Sequence, residues 1–201
     1  MADDTIPGPR RAELMRRLEA AVERQLGWLR EHGYEVAEAR WPVVRLDSER
    51  VALWLGYSVG HGGRLVIGVS LQERGEPERR SLGSIQHISG LPELPTADAV
   101  VESDDDVDAV VARISEQLRT IEPLVAGQEE AFRTLRRRYK ESLAATTLAF
   151  ALEDASREAA EAWRERDLER VVAILEPLEG HLPRHQQGWL DYARRNRSLG
   201  L

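Results

Sequence analysis

The segment VALWLGYSVGHGGRLVIGVSL, running from Val51 to Leu71, decides the fold of this chain. Two alternating apolar runs flank Gly60-His61-Gly62-Gly63, the strongest short-range hairpin signal in the sequence. Side chains alternate sides along a strand, so Val51, Leu53, Leu55, Tyr57 and Val59 share one face. Leu65, Ile67, Val69 and Leu71 do the same on the second run. A hairpin with one greasy face does not stand alone; it needs a third strand or a helix across it. The opposite face collects Trp54, Gly56, Ser58, Val66, Gly68 and Ser70, small residues around one large aromatic.

Cover for the greasy face comes from both sides in sequence. Leu14, Leu18, Val22, Leu26 and Leu29 recur at three- and four-residue steps, which predicts a helix from about Arg10 to Glu31. Pro9 suits its first turn and Gly33 its C-terminal cap. Val107, Val110, Val111, Ile114, Leu118 and Ile121 form the cleanest helical stripe in the chain. Ser103 and Asp106 supply its start in a capping-box pattern, and Pro123 and Gly127 mark its end.

Between these helices the strands are less regular. Tyr34 to Leu46 reads as strand, but Tyr34 and Val36 fall on one parity and Trp41 and Val43 on the other. With Pro42 unable to donate, an edge strand or a bulge is expected there. Gln72 to Arg80 reads as a loop, Ser81 to Ile88 as a fourth, weaker strand, and Ala99 to Glu102 as a short one.

Gln128 to Arg166 contains neither proline nor glycine, which predicts one long helix or two meeting near Ala144 to Thr147. Asp167 is placed to cap a further helix through Leu178, kinked at Pro177 and ended at Gly180. Pro183 starts a last helix carrying Trp189, Leu190 and Ala193. The expectation is an α+β fold: an N-terminal helix, an antiparallel β-meander of three to five strands, a helix, then an all-helical C-terminal third. By domain, residues 1–9 are a disordered lead-in, 10–126 the α+β domain, and 127–201 a helical tail packed on it.

Composition narrows the function classes. A net charge of −7 over 201 residues argues against a general nucleic-acid or anionic-membrane binder. No cysteine is present, which removes disulfides, thiol catalysis and thiolate metal sites. No run approaches the ~18 apolar residues of a membrane helix, and the acidic start lacks the pattern of a signal peptide. A cytoplasmic protein is expected.

No constellation of residues reaches the standard of a catalytic, cofactor or metal site. A phosphate loop needs a helix after its glycines, whereas a strand follows His61, so Gly60 to Gly63 reads as a turn. His181 and His185 are four apart, but Pro183 breaks the helical turn they would share. His32 sits at a helix end where a cation suits the dipole, and His87 stands alone. Asp104, Asp105, Asp106 and Asp108 read as first-turn carboxylates because the glycine and distant glutamate of a calcium loop are missing. Arg133, Arg136, Arg137, Arg138 and Lys140 make a basic patch bracketed by Glu129, Glu130 and Glu141, a solvated face or a dock for an acidic partner.

Two family resemblances attach to particular residues. The layout, with VVESDDDVDAVV at Val100 to Val111 and PLVAGQEEAF at Pro123 to Phe132, resembles small bacterial immunity-type proteins that neutralise a toxin. That resemblance implies a protein partner and no chemistry. Ala155, Ala159 and Ala162, a turn at Arg166-Asp167, then Leu168, Val171, Leu175 and Leu178, and a closing Pro183, are similar to one tetratricopeptide repeat. Glu158 and Val171 depart from that pattern, and one unit falls short of the roughly three needed for a peptide groove.

The expected function is therefore a non-catalytic interaction module, an immunity protein in the form the resemblance implies, existing as a monomer or as a homodimer through the long helix. Trp54, Ser58, Ser70, Trp41 and Trp189 are its candidate contact residues, since Trp is enriched at binding hot spots. The alternative is a small-molecule binder or enzyme with a pocket between the Trp54 face and the helical tail.

Overall fold

A computed structural model describes residues 6–59, 64–93, 99–103 and 106–196. The chain divides into two compact units, Met1–Tyr139 and Lys140–Leu201. The first opens with α1 (Gly8–Gln25), which carries Pro9 in its first turn and passes into a 3-10 helix, Gly27–His32. Gly33 ends that run in the left-handed region at φ 76, the geometry a C-terminal glycine provides at least cost. Six antiparallel strands follow, among the described residues: β1 (Glu35–Arg40), β2 (Val43–Asp47), β3 (Val51–Val59), β4 (Leu65–Glu73), β5 (Arg80–Ser81) and, later, β6 (Val100–Val101). Their order is β1-β2-β3-β4-β5, with β6 also paired to β4.

The central hairpin forms in the register its alternation demands, from Val51 opposite Glu73 to Val59 opposite Leu65. Leu53, Leu55, Ile67, Val69 and Leu71 are buried, while Val59, at the far end, is 44% exposed. Leu14, Leu18 and Val22 of α1 and Val107, Val110, Val111, Ile114 and Leu118 of α3 (Asp106–Thr120) complete that core. Polar contacts tie the two helices together: Arg24 and Gln25 both reach Asp108, and Trp28 Nε1 donates to Ser115 Oγ at 3.0 Å.

Two local expectations are corrected. Tyr34 to Leu46 is two strands, because the chain reverses at Trp41-Pro42; Arg40 pairs Val43 across that turn. The reversal, with a register shift between Val36 and Glu38, accounts for the change of parity. Ser81 to Ile88 is not a strand beyond its first residue; α2 (Leu82–Ser89) occupies it. Ser81 Oγ accepts from the Ser84 N–H and Gly90 closes the C-terminus at φ 69, so cap chemistry prevailed over apolar content. The short strand expected near Ala99 is β6.

Asp106 accepts from the Ser103 backbone N–H at 2.7 Å and from its Oγ at 3.0 Å, the reciprocal half of a capping box. α4 (Glu122–Val125) and Gly127 lead into α5 (Glu129–Glu165), one uninterrupted helix of 37 residues. Arg166, at φ 60, ends it.

In the second unit, Asp167 Oδ1 accepts from the Arg170 N–H and starts α6 (Leu168–Leu175). With Pro177 next, the chain tightens into a 3-10 helix, Glu176–His181, before α7 (Arg184–Asn196). Ala159 and Ala162 of α5 meet Val171, Val172 and Leu175 of α6 and Leu190 and Ala193 of α7 in a separate core. Small residues on α5 leave room for the branched side chains opposite. Arg194 bridges Glu176 and Glu179, binding α7 to the 3-10 segment.

Candidate partner-binding face

The sheet has a second face, and strand alternation decides what lies on it. Register places Arg45 beside Trp54 and Trp54 beside Ser70; Gly56 faces Gly68 and Ser58 faces Val66. Trp54, Ser58 and Ser70, expected as contact residues, therefore share one surface. Ser58 and Gly68 are exposed, and Trp54 and Ser70 are partly buried.

Two arginines flank the indole. The Arg79 guanidinium, from the loop after β4, lies 3.9 Å from the Trp54 ring centroid, within cation–π range. Arg45 stands farther off at 5.7 Å and is held by Asp47, whose Oδ1 accepts from its Nε at 2.8 Å. The Asp47 hydrogen bond raises the Arg45 pKa above its ordinary value, so this cation is fixed in place and charge. Arg74 reaches the same carboxylate at 2.8 Å. Arg79 lies in a loop with no periodicity, and nothing in the sequence marks it as the partner of Trp54.

The two glycines on this face differ in kind. A Cβ on Gly56 would stand 2.9 Å from Val43 Cγ2 and 3.2 Å from the Pro42 carbonyl oxygen. Its smallness serves the turn into β2, where Tyr57 N donates to Pro42 O. Gly68 has open space: among the described residues, only the Gly56 oxygen lies within 4 Å of a Cβ there, at 3.9 Å.

Trp41 and Trp189 lie elsewhere. Trp41 stacks on Tyr57 with centroids 5.3 Å apart, and Tyr57 Oη donates to the Leu14 carbonyl, so this indole seals the core. Trp189, in the second unit, stacks on Trp163 at 5.4 Å, with Tyr192 edge-on to Trp163 and His185 edge-on to Trp189. Tyr192 is 49% exposed. His185, Trp189 and Tyr192 fall at steps of four and three, a helical face that periodicity makes legible.

Several other polar residues singled out by the sequence have local partners. Arg133 pairs with Glu129 and Glu130, Arg136 with Glu73, and Arg138 donates to the Ser89 carbonyl. These contacts engage three of the five basic residues of that patch within the chain. His32 lies 3.4 Å from Glu122, and His87 Nδ1 lies 2.9 Å from Glu93 Oε1. Burial raises the Tyr34 pKa, and its hydroxyl donates to the Val125 carbonyl. His61, Asp104 and Asp105 lie outside the described residues. Among the described residues, no three His, Asp or Glu side chains stand close enough to hold a metal ion. A groove of about 460 Å³ lies between the end of α1 and Tyr34, Val36 and Leu46, away from Trp54.

Compared with known proteins, the chain matches no family model, no curated protein and no solved structure. The geometry of its own residues carries the functional argument.

Proposed function

We propose that the chain is a non-catalytic protein-interaction module of bacterial type, acting in the cytoplasm and neutralising a partner toxin as an immunity protein does. The observation that carries this reading is Trp54 on the second sheet face, with Arg79 stacked on it and Ser58 and Gly68 exposed beside it. Trp and Arg dominate binding energy at protein interfaces out of proportion to their number. A strip of small side chains around one such anchor admits the close approach of another protein's surface. The likeness of Val100 to Val111 and Pro123 to Phe132 to immunity-type proteins supports a toxin as that partner, and the charge of −7 weighs against nucleic acid. The chain acts as a monomer or as a homodimer through α5.

The test mixes the tagged chain with the products of adjacent genes and compares wild type with Trp54→Ala and Arg79→Glu. Wild type is expected to retain a toxin-like product, with affinity lowered about tenfold or more in both variants. Retention of no product, or equal retention by all three proteins, contradicts the reading. The competing reading, a small-molecule binder or enzyme at Trp54, predicts instead a ligand-dependent rise in melting temperature that Trp54→Ala abolishes.

A further inference from the structure

The middle of α5 is apolar where a lone helix should be polar. From Ser142 to Leu152 the sequence is SLAATTLAFAL, with no charge in eleven residues. Leu143 is 56% exposed and Phe150 65%, and Ala144, Ala145, Ala149 and Ala151 are exposed as well. At 1.5 Å per residue this run is about 16 Å long, roughly half of what a bilayer core requires. It is too short to span a membrane and too greasy to face water without cost.

The charges on either side indicate what covers it. Arg133, Arg136, Lys140, Leu143, Thr147, Phe150, Asp154, Glu158 and Glu161 recur at steps of three and four, so they share one helical face. Before the apolar run that face carries Arg133 and Arg136, paired with Glu129, Glu130 and Glu73, and then Lys140; after it come Asp154, paired with Arg157, and then Glu158 and Glu161. Like charges at such spacings repel within one helix. The positions three and four residues either side of Lys140 are Arg136, Arg137, Leu143 and Ala144, so the helix offers it no carboxylate. Glu158, flanked likewise by Asp154, Ala155, Glu161 and Ala162, has no basic residue three or four positions away on its helix. A second copy laid parallel sets basic on basic and acidic on acidic. An antiparallel copy sets each Lys140 beside the other's acidic flank.

We infer that α5 pairs with α5 of a second copy, antiparallel, about a twofold axis close to Thr147. Leu143 and Phe150 then cover one another's apolar run, and Lys140 of each chain lies beside the Glu153 to Glu158 flank of the other. A twofold contact of this kind is self-complementary and closes at two chains. The inference deepens the interaction reading by naming one partner, and rests on it only in treating exposed apolar surface as binding surface. The two fail separately, since pairing is read from mass and cross-links and needs no toxin-like product.

Lys140 is the only lysine in the chain, so a zero-length carbodiimide cross-link from a side-chain amine reports one place. In a mixture of isotope-labelled and unlabelled protein, links from Lys140 to Glu153, Asp154 or Glu158 are expected between chains, and light scattering is expected to give twice the chain mass. Leu143→Glu/Phe150→Glu should reduce that mass to one chain and abolish the links. Ala145→Glu/Ala149→Glu, charged on the far side of the helix, should change neither. Circular dichroism confirms that both variants remain helical. A one-chain mass for wild type at all concentrations, links confined to single chains, or a dimer indifferent to Leu143→Glu/Phe150→Glu overturns the inference.

Discussion

The two faces of the central hairpin are built from the same strands by alternation, yet they meet different demands. Leu53, Leu55, Ile67 and Leu71 are no more than 2% exposed, enclosed by α1 and α3. One residue away, Trp54, Ser58 and Gly68 remain partly or fully open, and the aromatic is covered by an arginine from a loop. One face is closed by apolar area removed from water, the other by a cation over a ring. The first kind of contact is worth about 1.5–3 kcal/mol per side chain, the second about 0.5–1 kcal/mol at an exposed site. A face held so weakly can exchange its own cover for a partner's.

The largest effect separating the faces is expected from truncation. Leu53→Ala should cost about 2–5 kcal/mol in urea unfolding, because a fully buried leucine leaves a cavity. Trp54→Ala, though larger in volume, should cost less, since Trp54 is only partly buried. Equal losses would mean that both faces serve the core.

The glycine pair sharpens the comparison inside one face. Gly56→Ala should destabilise by about 1–3 kcal/mol, since its Cβ meets Val43 and the Pro42 carbonyl. Gly68→Ala, directly across the ladder, meets open space and should lie within about 0.5 kcal/mol of wild type. A reversal of that order would remove the account of why Gly56 is small. Arg79→Ala should fall between the two glycine variants, at about 0.5–1 kcal/mol, by losing the contact with Trp54.

The smallest effect concerns the α3 start. Hydrogen bonds from Ser103 hold the Asp106 carboxyl below its ordinary pKa of 3.8. A carboxylate with a depressed folded pKa stabilises fully above its unfolded value, and that contribution is lost as pH falls through the folded one. Asp106→Asn should therefore differ from wild type in urea midpoint at neutral pH and converge with it in strong acid. A difference that persists in acid would place the effect elsewhere.

Much of the fold was legible because hydrophobic period is a local signal. The stripes of α1 and α3 and the alternation of β3 and β4 matched the observed burial, apart from Val59, which is exposed, Leu65, which is partly buried, and Ala52, which is buried on the other parity. Ser81 to Ile88 misled because a short apolar run carries no decisive period; Ser81 and Gly90, as caps, held the information. Tyr34 to Leu46 misled because the turn at Trp41-Pro42 lacks glycine. Of the candidate contacts, Trp54, Ser58 and Ser70 share a face by parity alone, which the sequence states openly. Arg79 was not legible, because a loop has no period to place it.

One hairpin face holds the fold, and the central proposal is that the other binds. Its most direct test reads melting temperature and toxin retention together for Trp54→Ala. The account predicts a folded protein whose melting temperature falls by less than that of Leu53→Ala and which no longer retains the partner. Full retention by folded Trp54→Ala would contradict it.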